Sequence, residues 1–476
     1  MLKKLGKIIG IVLAVLMTAS TVFAAGSGDW SMYGSDPTGS RYNSAEKKLS
    51  TSSVANLAVR WQLQTATIVT GTPVVVDNVV YVAEAGGGGG FGGTGGTVYA
   101  LNGNNGSVIW KTTVPGSTFT ATATVMRGRV VIGDTANGNI YGFDQSSGKL
   151  LWTIQPNTTG KPSIWGSGTQ VGKYLAIGVA SNEEIFPTTD FHSRGSVVLL
   201  DPNNGNVIWQ TYTISDADFA LGASGASVWV APAYDADTNT IFIGTGNNFS
   251  LPTTGTSDAM MALDANTGAI KWINQLLPND SWNPWTHGSG YGPDFDIGDS
   301  PQIYNLPNGR KVVGVGQKSG VYHVLDPITG AAINSTGLTS GSGSTLGGLF
   351  SDSAVANGVV YANGNTYPTA GGGSVLLAFS ADNNGSPTVL WTFQPNSFYA
   401  LSGVAVANGV VYFTAAMDPN LYAIDAATGN VLKAVNIGAS TSGPSISNGQ
   451  VYVGTGSVFI SGSFTSPGTV TALGIK

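Results

Sequence analysis

One short phrase recurs along this chain and limits the folds open to it. Each copy has an apolar strand that often carries a Tyr, then an Asp or Asn, a glycine-containing turn, and a second apolar strand that usually closes on Trp. Units of this size cannot bury their apolar faces alone, so such repeats pack against one another. Seven internal copies occupy residues 98–110, 140–152, 197–209, 260–272, 321–330, 376–391 and 421–432.

The two ends of the repeat region supply an eighth unit. Residues 57–64 (LAVRWQLQ) resemble the strand after the turn, and residues 469–476 (TVTALGIK) resemble the strand before it. Joining these two strands would close the repeats into a ring and remove the unstable ends. The sequence therefore predicts an all-β fold, an eight-bladed β-propeller whose ring is closed by the N- and C-terminal strands.

Composition supports a folded chain built from strands and turns. Hydrophobic residues make up 42% of the 476 residues, and the 68 glycines suit many tight turns. Asp-Asn or Asn-Gly between β-branched runs, as in 71–84, 353–365 and 404–416, predicts tight hairpins between the repeats. The tryptophans that close the first four copies, at 110, 152, 209 and 272, are unevenly spaced. We therefore expect loops inserted between some strands, and functional residues on those loops.

Residues 1–25 have the layout of a secretory signal peptide, with three early lysines, an apolar run and small residues before the expected cleavage near Ala24 or Ala25. A single membrane anchor is the alternative. The interpretation predicts a periplasmic or secreted protein, with residues 26–476 as one propeller domain and no stable membrane insertion after cleavage. With 10% charged residues and a net charge of −6, the chain has no basic patch for nucleic acid.

Several kinds of site are excluded or have no recognisable pattern. The absence of cysteine excludes disulfides, thiolate zinc sites and covalently attached c-type haem. The glycine-rich run 85–96 lacks the Gly-Lys-Ser/Thr ending of a phosphate-binding loop, so it is interpreted as a surface insertion. His192, His287 and His323 show no spacing typical of a catalytic triad or a metal site.

Five longer motifs go beyond the repeat: DWSMYGSDPTGSRYN (29–43), SVWVAPAYD (227–235), GTGNNFSLP (244–252), GPDFDIGDSP (292–301) and GQKSGVYHVLDPITG (316–330). Together with the repeats they resemble the pyrroloquinoline quinone (PQQ)-dependent alcohol dehydrogenases, most closely the polyvinyl-alcohol dehydrogenase-like branch. The resemblance implies hydride transfer from an alcohol or polyol substrate to PQQ bound with Ca²⁺ or a lanthanide. Without a haem of its own, the chain would need a separate electron acceptor such as a cytochrome or a quinone.

The resemblance also assigns roles to individual residues. It implies that Trp229 stacks beneath the quinone, that the Asn247 amide oxygen binds the metal, and that Lys318 lies over the quinone carbonyls. Glu183 matches the family's glutamate metal ligand, and Arg194 matches an arginine downstream of it, at a longer interval than in the family pattern. Glu184 stands next to Glu183 and leaves the choice of ligand open.

The catalytic base has two alignments. The PDFD segment places Asp294 at the base position, where it would also bind the metal, and places Asp296 where lanthanide-using branches carry an additional acidic ligand. The alternative begins from residues 275–283 and places Asn283 at the base position, where an amide cannot accept a proton. Asp280 or Asp294 would then have to substitute, or the site would be inactive.

A function of a different class is a non-catalytic propeller that uses the same repeats as a scaffold for envelope proteins or polysaccharide. A scaffold has no need of the GTGNN, PDFD and GQKSG motifs together, so their joint presence favours the enzyme.

Overall fold

The computed structural model describes residues 28–87, 95–186, 188–285, 292–339, 346–366, 373–380 and 388–475. The predicted signal peptide, His287 and most of the glycine-rich run lie outside these ranges. Within them the chain is almost entirely β-structure. The helical segments are the 3-10 turn Val54–Asn56 and the short α-helices Asp216–Ala220 and Val458–Ser461. No helix in the described ranges is long and apolar enough to span a membrane.

The strands form eight blades, each a sheet of antiparallel strands. In blade 3, Pro162–Ser163 and Thr169–Val171 both pair with Tyr174–Ser181, and blade 8 takes its outer strand from the beginning of the repeat region. The innermost strands of neighbouring blades contact one another around the complete ring, with Thr169–Val171 as the innermost strand of blade 3. In chain order the strands are Val74–Val76, Val79–Glu84, Gly96–Asn102 and Val108–Val114 (blade 1); Thr124–Met126, Arg129–Gly133, Ile140–Asp144 and Leu150–Ile154 (blade 2); Pro162–Ser163, Thr169–Val171, Tyr174–Ser181, Ser196–Leu200 and Val207–Tyr212 (blade 3); Ala233–Asp235, Thr240–Gly244, Ala259–Asp264 and Ile270–Gln275 (blade 4); Gln302–Asn305, Lys311–Gly316, Val321–Leu325 and Ala332–Gly337 (blade 5); Ala354–Ala356, Val359–Asn365, Ser374–Ser380 and Thr388–Phe393 (blade 6); Ala405–Ala407, Val410–Ala415, Asp418–Asp425 and Val431–Asn436 (blade 7); and Ser445–Ser447, Gln450–Gly454, Gly468–Ile475 and Leu57–Thr65 (blade 8).

The two ends of the chain close the ring as predicted. Leu57–Thr65 pairs antiparallel with Gly468–Ile475, with Leu57 opposite Ile475 and Thr65 opposite Gly468. The eight-bladed propeller expected from the repeats is therefore confirmed. Two further short strand pairings lie outside the four-stranded pattern. Tyr42–Asn43 runs parallel to the first strand of blade 7, and Ser224–Gly225 pairs with Asn248–Ser250.

The contact between neighbouring blades explains the repeated phrase. Trp110, at the outer strand of blade 1, donates its indole N–H to the Gln145 carbonyl in the turn of blade 2. Its ring lies so close to Gly148 that a Cβ there would come within 2.4 Å of it, and Gly148 has a φ of +70°. Glycine is thus needed both for the left-handed backbone and for the close approach of the ring. The same indole-to-turn hydrogen bond is made by Trp61, Trp152, Trp209, Trp272 and Trp391.

Within a blade, the first two strands are joined by the predicted tight hairpins. Val76 pairs with Val79 and leaves Asp77 and Asn78 as a two-residue turn. Both turn residues have positive φ, 50° and 61°, as a type I′ turn requires. Alternate apolar side chains of the adjoining strands face opposite neighbouring blades. The core therefore consists of apolar layers between blades.

Residues 29–43, which precede the strand Leu57–Thr65 of blade 8, cross the inner strands of the ring. The backbone carbonyls of Ser31, Pro37, Thr38, Ser40 and Arg41 accept hydrogen bonds from the first strands of blades 2, 4, 5, 6 and 7, and Trp30 exchanges two hydrogen bonds with Val75 of blade 1. The Asn43 amide donates to the Ile446 carbonyl of blade 8. This segment, called the N-terminal crosspiece below, therefore ties seven blades together.

Candidate functional site

A cavity of about 430 Å³ lies among the loops that join the blades and the loops between second and third strands. Tyr33 of the N-terminal crosspiece contributes to its wall. Its described lining is largely apolar and aromatic, with a few charged side chains, which is the usual character of a pocket for a small molecule. The lining residues used below are Trp229, Phe350, Glu184, Asp296, Lys318 and Phe459.

A buried ionic cluster faces this cavity. The ammonium of Lys318 lies 2.8 Å from Oδ1 of Asp294 and 2.9 Å from Oδ2 of Asp296. All three residues are at most 3% exposed. A buried charge is costly unless it is paired, so these ion pairs stabilise the burial of the cluster. The PDFD and GQKSG motifs, which are separate in the sequence, thus form one site.

The backbone holds the two motifs in register. The Lys318 N–H donates to the Asp296 carbonyl at 3.0 Å, and Ile297 forms a β-bridge with Gln317. Asp294 adopts a φ of +62°, and the carboxylate of Asp280 accepts a hydrogen bond from the next backbone N–H, that of Phe295, at 3.1 Å. Asp280 therefore stabilises the turn that presents Asp294.

Asn247 is adjacent to this cluster and is oriented by its own amide group. Its backbone N–H donates to Oδ1 of Asp296 at 2.7 Å, and its side-chain N–H groups donate to the carbonyls of Asn248 and Trp282 at 2.7 and 2.6 Å. These contacts leave the buried amide oxygen as the free end, with no hydrogen-bond partner in the part of the chain that the structure describes. A fixed, unpartnered carbonyl oxygen is a suitable ligand for a hard cation.

The two adjacent glutamates have different environments. The Glu183 carboxylate accepts hydrogen bonds from the backbone N–H groups of His192 and Ser193 and from the Ser193 hydroxyl, at 3.1, 3.0 and 2.6 Å. It is therefore occupied in holding its own loop. Glu184 lines the cavity, and its buried Oε1 has no hydrogen-bond partner among the described residues. The structure thus brings Glu184, rather than the expected Glu183, to the side of the cavity.

The structure does not bring Arg194 to the cavity. Its guanidinium lies between the rings of Tyr212 and Phe219, 3.7 and 4.8 Å from their centroids. It donates to the Ile214 carbonyl and pairs with Asp216 at 2.6 Å. Arg194 is placed to pack the segment that follows blade 3, so the expected contact with the quinone has no support in this geometry.

Trp229 forms part of the cavity wall and has an aromatic neighbour that the motifs did not indicate. Its ring centroid lies 5.3 Å from that of Phe350, with the two planes tilted by 38°. The Lys318 ammonium is 5.7 Å from the Trp229 centroid and 5.8 Å from the Phe350 centroid. The two rings form a joint aromatic surface next to the only cation of the cluster among the described residues.

The alternative base position is turned away from the cluster. Asn283 donates from its amide to the Phe249 carbonyl at 2.9 Å and accepts from the Trp285 N–H at 3.0 Å, so both ends of the amide hold the local loop. Of the two alignments, the one that uses Asp294 brings an acid to Lys318.

A further acid, Asp258, is completely buried near the cluster, and neither carboxylate oxygen has a hydrogen-bond partner among the described residues. The only signal for it in the sequence is an acid directly before the apolar strand AMMALD.

Burial and like charge determine the electrostatics of the cluster. Burial raises the pKa of Asp294 to about 7, against the lowering effect of Lys318 and with a further increase from Asp296. Burial and the charges of Asp296 and Asp294 raise the pKa of Glu184 well above its usual range. Burial disfavours the ammonium of Lys318, but the carboxylates of Asp294, Asp296 and Glu184 outweigh this effect and raise its pKa. The site therefore has an excess of acids over bases.

These residues fit a hard cation in their chemistry. Three buried oxygens, Oδ1 of Asn247, Oδ2 of Asp294 and Oε1 of Glu184, have no hydrogen-bond partner within the described ranges. Carbonyl and carboxylate oxygens are the ligands of Ca²⁺ and similar ions. No group of three acidic, His or Cys side chains in those ranges is arranged to hold a metal by itself. The amide of Asn247 would therefore have to complete the set.

A family model described as outer membrane protein assembly factor BamB, built on PQQ-like repeats, matches residues 47–272 and 285–435. The chain belongs to this PQQ-like repeat family. Relatives of this chain are named polyvinylalcohol and quinohemoprotein alcohol dehydrogenases, which confirms the predicted resemblance to quinoprotein alcohol dehydrogenases. A polyvinylalcohol dehydrogenase of Sphingopyxis sp. (strain 113P3) is 27% identical over 86% of this chain and 69% of its own length.

Two further comparisons agree with this placement. Quinohemoprotein alcohol dehydrogenase ADH IIB of Pseudomonas putida is 25% identical over 64% of this chain, which spans 47% of that protein. The crystal structure of quinohemoprotein alcohol dehydrogenase from Comamonas testosteroni superposes with a TM-score of 0.75 at 19% identity and covers 94% of this chain and 80% of its own. At that identity the superposition supports the fold alone.

Proposed function

We propose that this PQQ-like repeat protein is a PQQ-dependent dehydrogenase that oxidises alcohol groups outside the cytoplasm, in the periplasm or after secretion. The observation that carries the proposal is the buried cluster of Lys318, Asp294 and Asp296 beside Asn247, on a cavity whose wall includes Trp229. The names of its polyvinylalcohol and quinohemoprotein alcohol dehydrogenase relatives support the same class of reaction. A scaffold protein would gain nothing from burying an unbalanced set of acids.

Asp294 is the proposed general base. Its Oδ1 is held by Lys318, and its buried Oδ2 has no hydrogen-bond partner in the described parts of the chain. With a pKa of about 7 it can accept a proton from an alcohol at neutral pH and above. Because Lys318 holds Oδ1, Oδ2 is the oxygen that is free to face the metal and the substrate.

The remaining residues would bind the metal and orient the cofactor. Asn247, Glu184 and Asp294 are the proposed ligands for Ca²⁺ or a lanthanide, with Asp296 as an additional acid beside them. Trp229 would pack against the flat face of the cofactor, and Lys318 would bring positive charge near it. When bound here, PQQ with its metal would accept the hydride from the alcohol carbon. The apolar walls would keep water from the reacting groups.

The proposal is tested by titrating the protein with PQQ in the presence of Ca²⁺ or a lanthanide, followed by tryptophan fluorescence and by dye reduction with alcohols. Wild type and Asp294→Asn should both bind about one equivalent, because the amide keeps an oxygen at the metal. Only wild type should reduce the dye. Asp190→Asn, at an exposed acid, is the matched control and should behave as wild type. An absence of saturable binding with either metal would refute the proposal and leave the scaffold as the better interpretation.

A further inference from the structure

Two loops from different blades meet at one edge of the cavity and form an apolar strip. The Tyr399 ring, on the loop that joins blades 6 and 7, lies 5.3 Å from the Phe459 ring, on the loop between the second and third strands of blade 8. Next to these rings in the chain, Phe398 is 53% exposed and Ile460 is 59% exposed. We call Phe398, Tyr399, Phe459 and Ile460 the entrance strip.

The entrance strip is continuous with the cavity. Phe459 itself lines the cavity, together with Val458 and Phe464 of the same loop and Leu401 of the other loop. A path of apolar side chains thus leads from the candidate site to the exposed rings. Exposed apolar surface that continues a pocket often marks a place where a ligand extends beyond it.

The strip is uncharged and carries hydroxyl groups between its apolar residues. The sequences 394–404 (QPNSFYALSGV) and 455–468 (TGSVFISGSFTSPG) contain no acidic or basic residue but eight Ser or Thr residues. The nearby Asp418 is buried and accepts hydrogen bonds from the Asn396 N–H and the Tyr422 hydroxyl at 2.9 and 2.7 Å. A charged polymer would find no opposite charge on these two loops.

Two hydroxyls at this edge of the cavity have unused hydrogen-bonding capacity. Thr441 Oγ1 lines the cavity, and Ser457 Oγ lies directly before Val458 on the blade 8 loop. Both atoms are buried without a hydrogen-bond partner among the described residues, and Ser457 is only 4% exposed. Buried hydroxyls normally have a partner, so these are places for groups of a ligand.

We infer that the entrance strip binds the part of a neutral, hydroxyl-bearing hydrocarbon polymer that flanks the alcohol being oxidised. This inference rests on the proposed function. A cavity of about 430 Å³ that also holds a cofactor can admit only a short piece of a polymer, so the rest of the chain must lie outside. Methylene groups would pack on the rings of the strip, and the polymer hydroxyls would reach its Ser and Thr residues.

The test uses the double variant Phe398→Ala/Ile460→Ala and two substrates, polyvinyl alcohol and the short analogue 2,4-pentanediol. Loss of two exposed apolar side chains should lower kcat/KM for the polymer on the order of ten-fold, through KM, because their packing contributes roughly 1–2 kcal/mol. The value for the diol should stay unchanged. Ile328→Ala, at an equally exposed isoleucine (64%) on a turn of blade 5, is the matched control and should affect neither substrate.

A second measurement needs no catalysis. Cofactor-free wild type should be retarded on a polyvinyl alcohol gel, and the double variant should not be. If the variant keeps both its polymer KM and its retention, the inference is wrong even when the enzyme is active. If wild type oxidises neither substrate, the proposed function fails instead, and retention still decides the binding surface. Competition by dextran as strong as that by polyvinyl alcohol would assign the strip to polysaccharide and overturn the inference.

Discussion

The ammonium of Lys318 lies 2.8 Å from Oδ1 of Asp294, and both side chains are almost completely buried. The pair belongs to an acidic cluster in which Lys318 is the basic partner. We predict that Lys318→Met destabilises the protein by about 3–5 kcal/mol without added metal, because it leaves buried carboxylates uncompensated. Ca²⁺ should restore part of the loss. The measurement is chemical denaturation with and without the ion.

Lys311→Met is the control for this prediction. Lys311 pairs with Asp235 and Asp237 at 2.8 and 2.5 Å, but its side chain is 30% exposed and Asp237 is largely in solvent. Asp235 is buried, yet it would keep the hydrogen bonds from the Asp237 N–H and the Thr238 hydroxyl. Pairs of this kind contribute about 0–1 kcal/mol. A Lys318→Met variant that is no less stable than Lys311→Met would contradict the role assigned to the buried pair.

The adjacent glutamates should separate folding from metal binding. Glu183→Gln should lower the free energy of unfolding by roughly 1–3 kcal/mol, because the carboxylate accepts hydrogen bonds from two backbone N–H groups and a hydroxyl. Glu184→Gln should leave stability close to that of wild type and weaken metal-dependent PQQ binding. Thermal unfolding without metal and PQQ titration with metal measure the two effects. The opposite pattern would return the ligand role to Glu183.

The glycine under each closing tryptophan should be more sensitive than other glycines with the same backbone. Gly148 and Gly128 have φ values of +70° and +74°, but a Cβ at Gly148 would lie 2.4 Å from the Trp110 ring, whereas one at Gly128 would meet nothing within 4 Å. Both alanine variants should show the backbone cost of about 1 kcal/mol or more. Gly148→Ala should lose several kcal/mol in addition, since Trp110 must move. Equal melting temperatures for the two variants would refute this account of the repeat.

These contacts explain why the fold could be predicted from the sequence. The glycine of each turn and the tryptophan of the preceding blade are parts of one contact, so a local pattern carried information about how blades pack. The site was predictable to the extent that its residues lie in motifs: Asn247, Asp294 and Lys318 are brought to one cluster. Glu183 and Glu184 could not be separated, because the direction of side chains in an irregular loop depends on backbone contacts that no pattern encodes.

Arg194 and Phe350 show the same limit of sequence-based prediction. Arg194 was expected at the site and lies elsewhere, whereas Phe350 lies at the site and was not expected there. The motif position of Arg194 suggested the cofactor, yet the rings of Tyr212 and Phe219 and the charge of Asp216 hold it elsewhere. Phe350 carries no motif signal and still packs against Trp229. Its backbone lies against Gly298, where the absence of a Cβ lets the two segments approach closely. Long-range packing decides both placements.

His323 should make stability depend on pH between about 6.5 and 4. It is 8% exposed, and burial lowers its pKa from 6.5 to about 4. In this window the unfolded chain binds a proton that the folded chain does not, so stability falls as the pH falls. At pH 5 the loss attributable to this residue should be about 2 kcal/mol relative to pH 7.5. His323→Gln should remove that part of the dependence, although it also changes the contact of Nδ1 with the Ser335 hydroxyl at 2.9 Å.

The comparison should therefore be made between pH values rather than between proteins at one pH. Denaturation of wild type, His323→Gln and His192→Gln at pH 7.5 and pH 5 provides it, with His192 as an exposed control. On acidification His323→Gln should lose less stability than either wild type or His192→Gln. If all three lose the same amount, the buried imidazole is protonated in the folded protein at pH 5, and its burial does not govern acid stability.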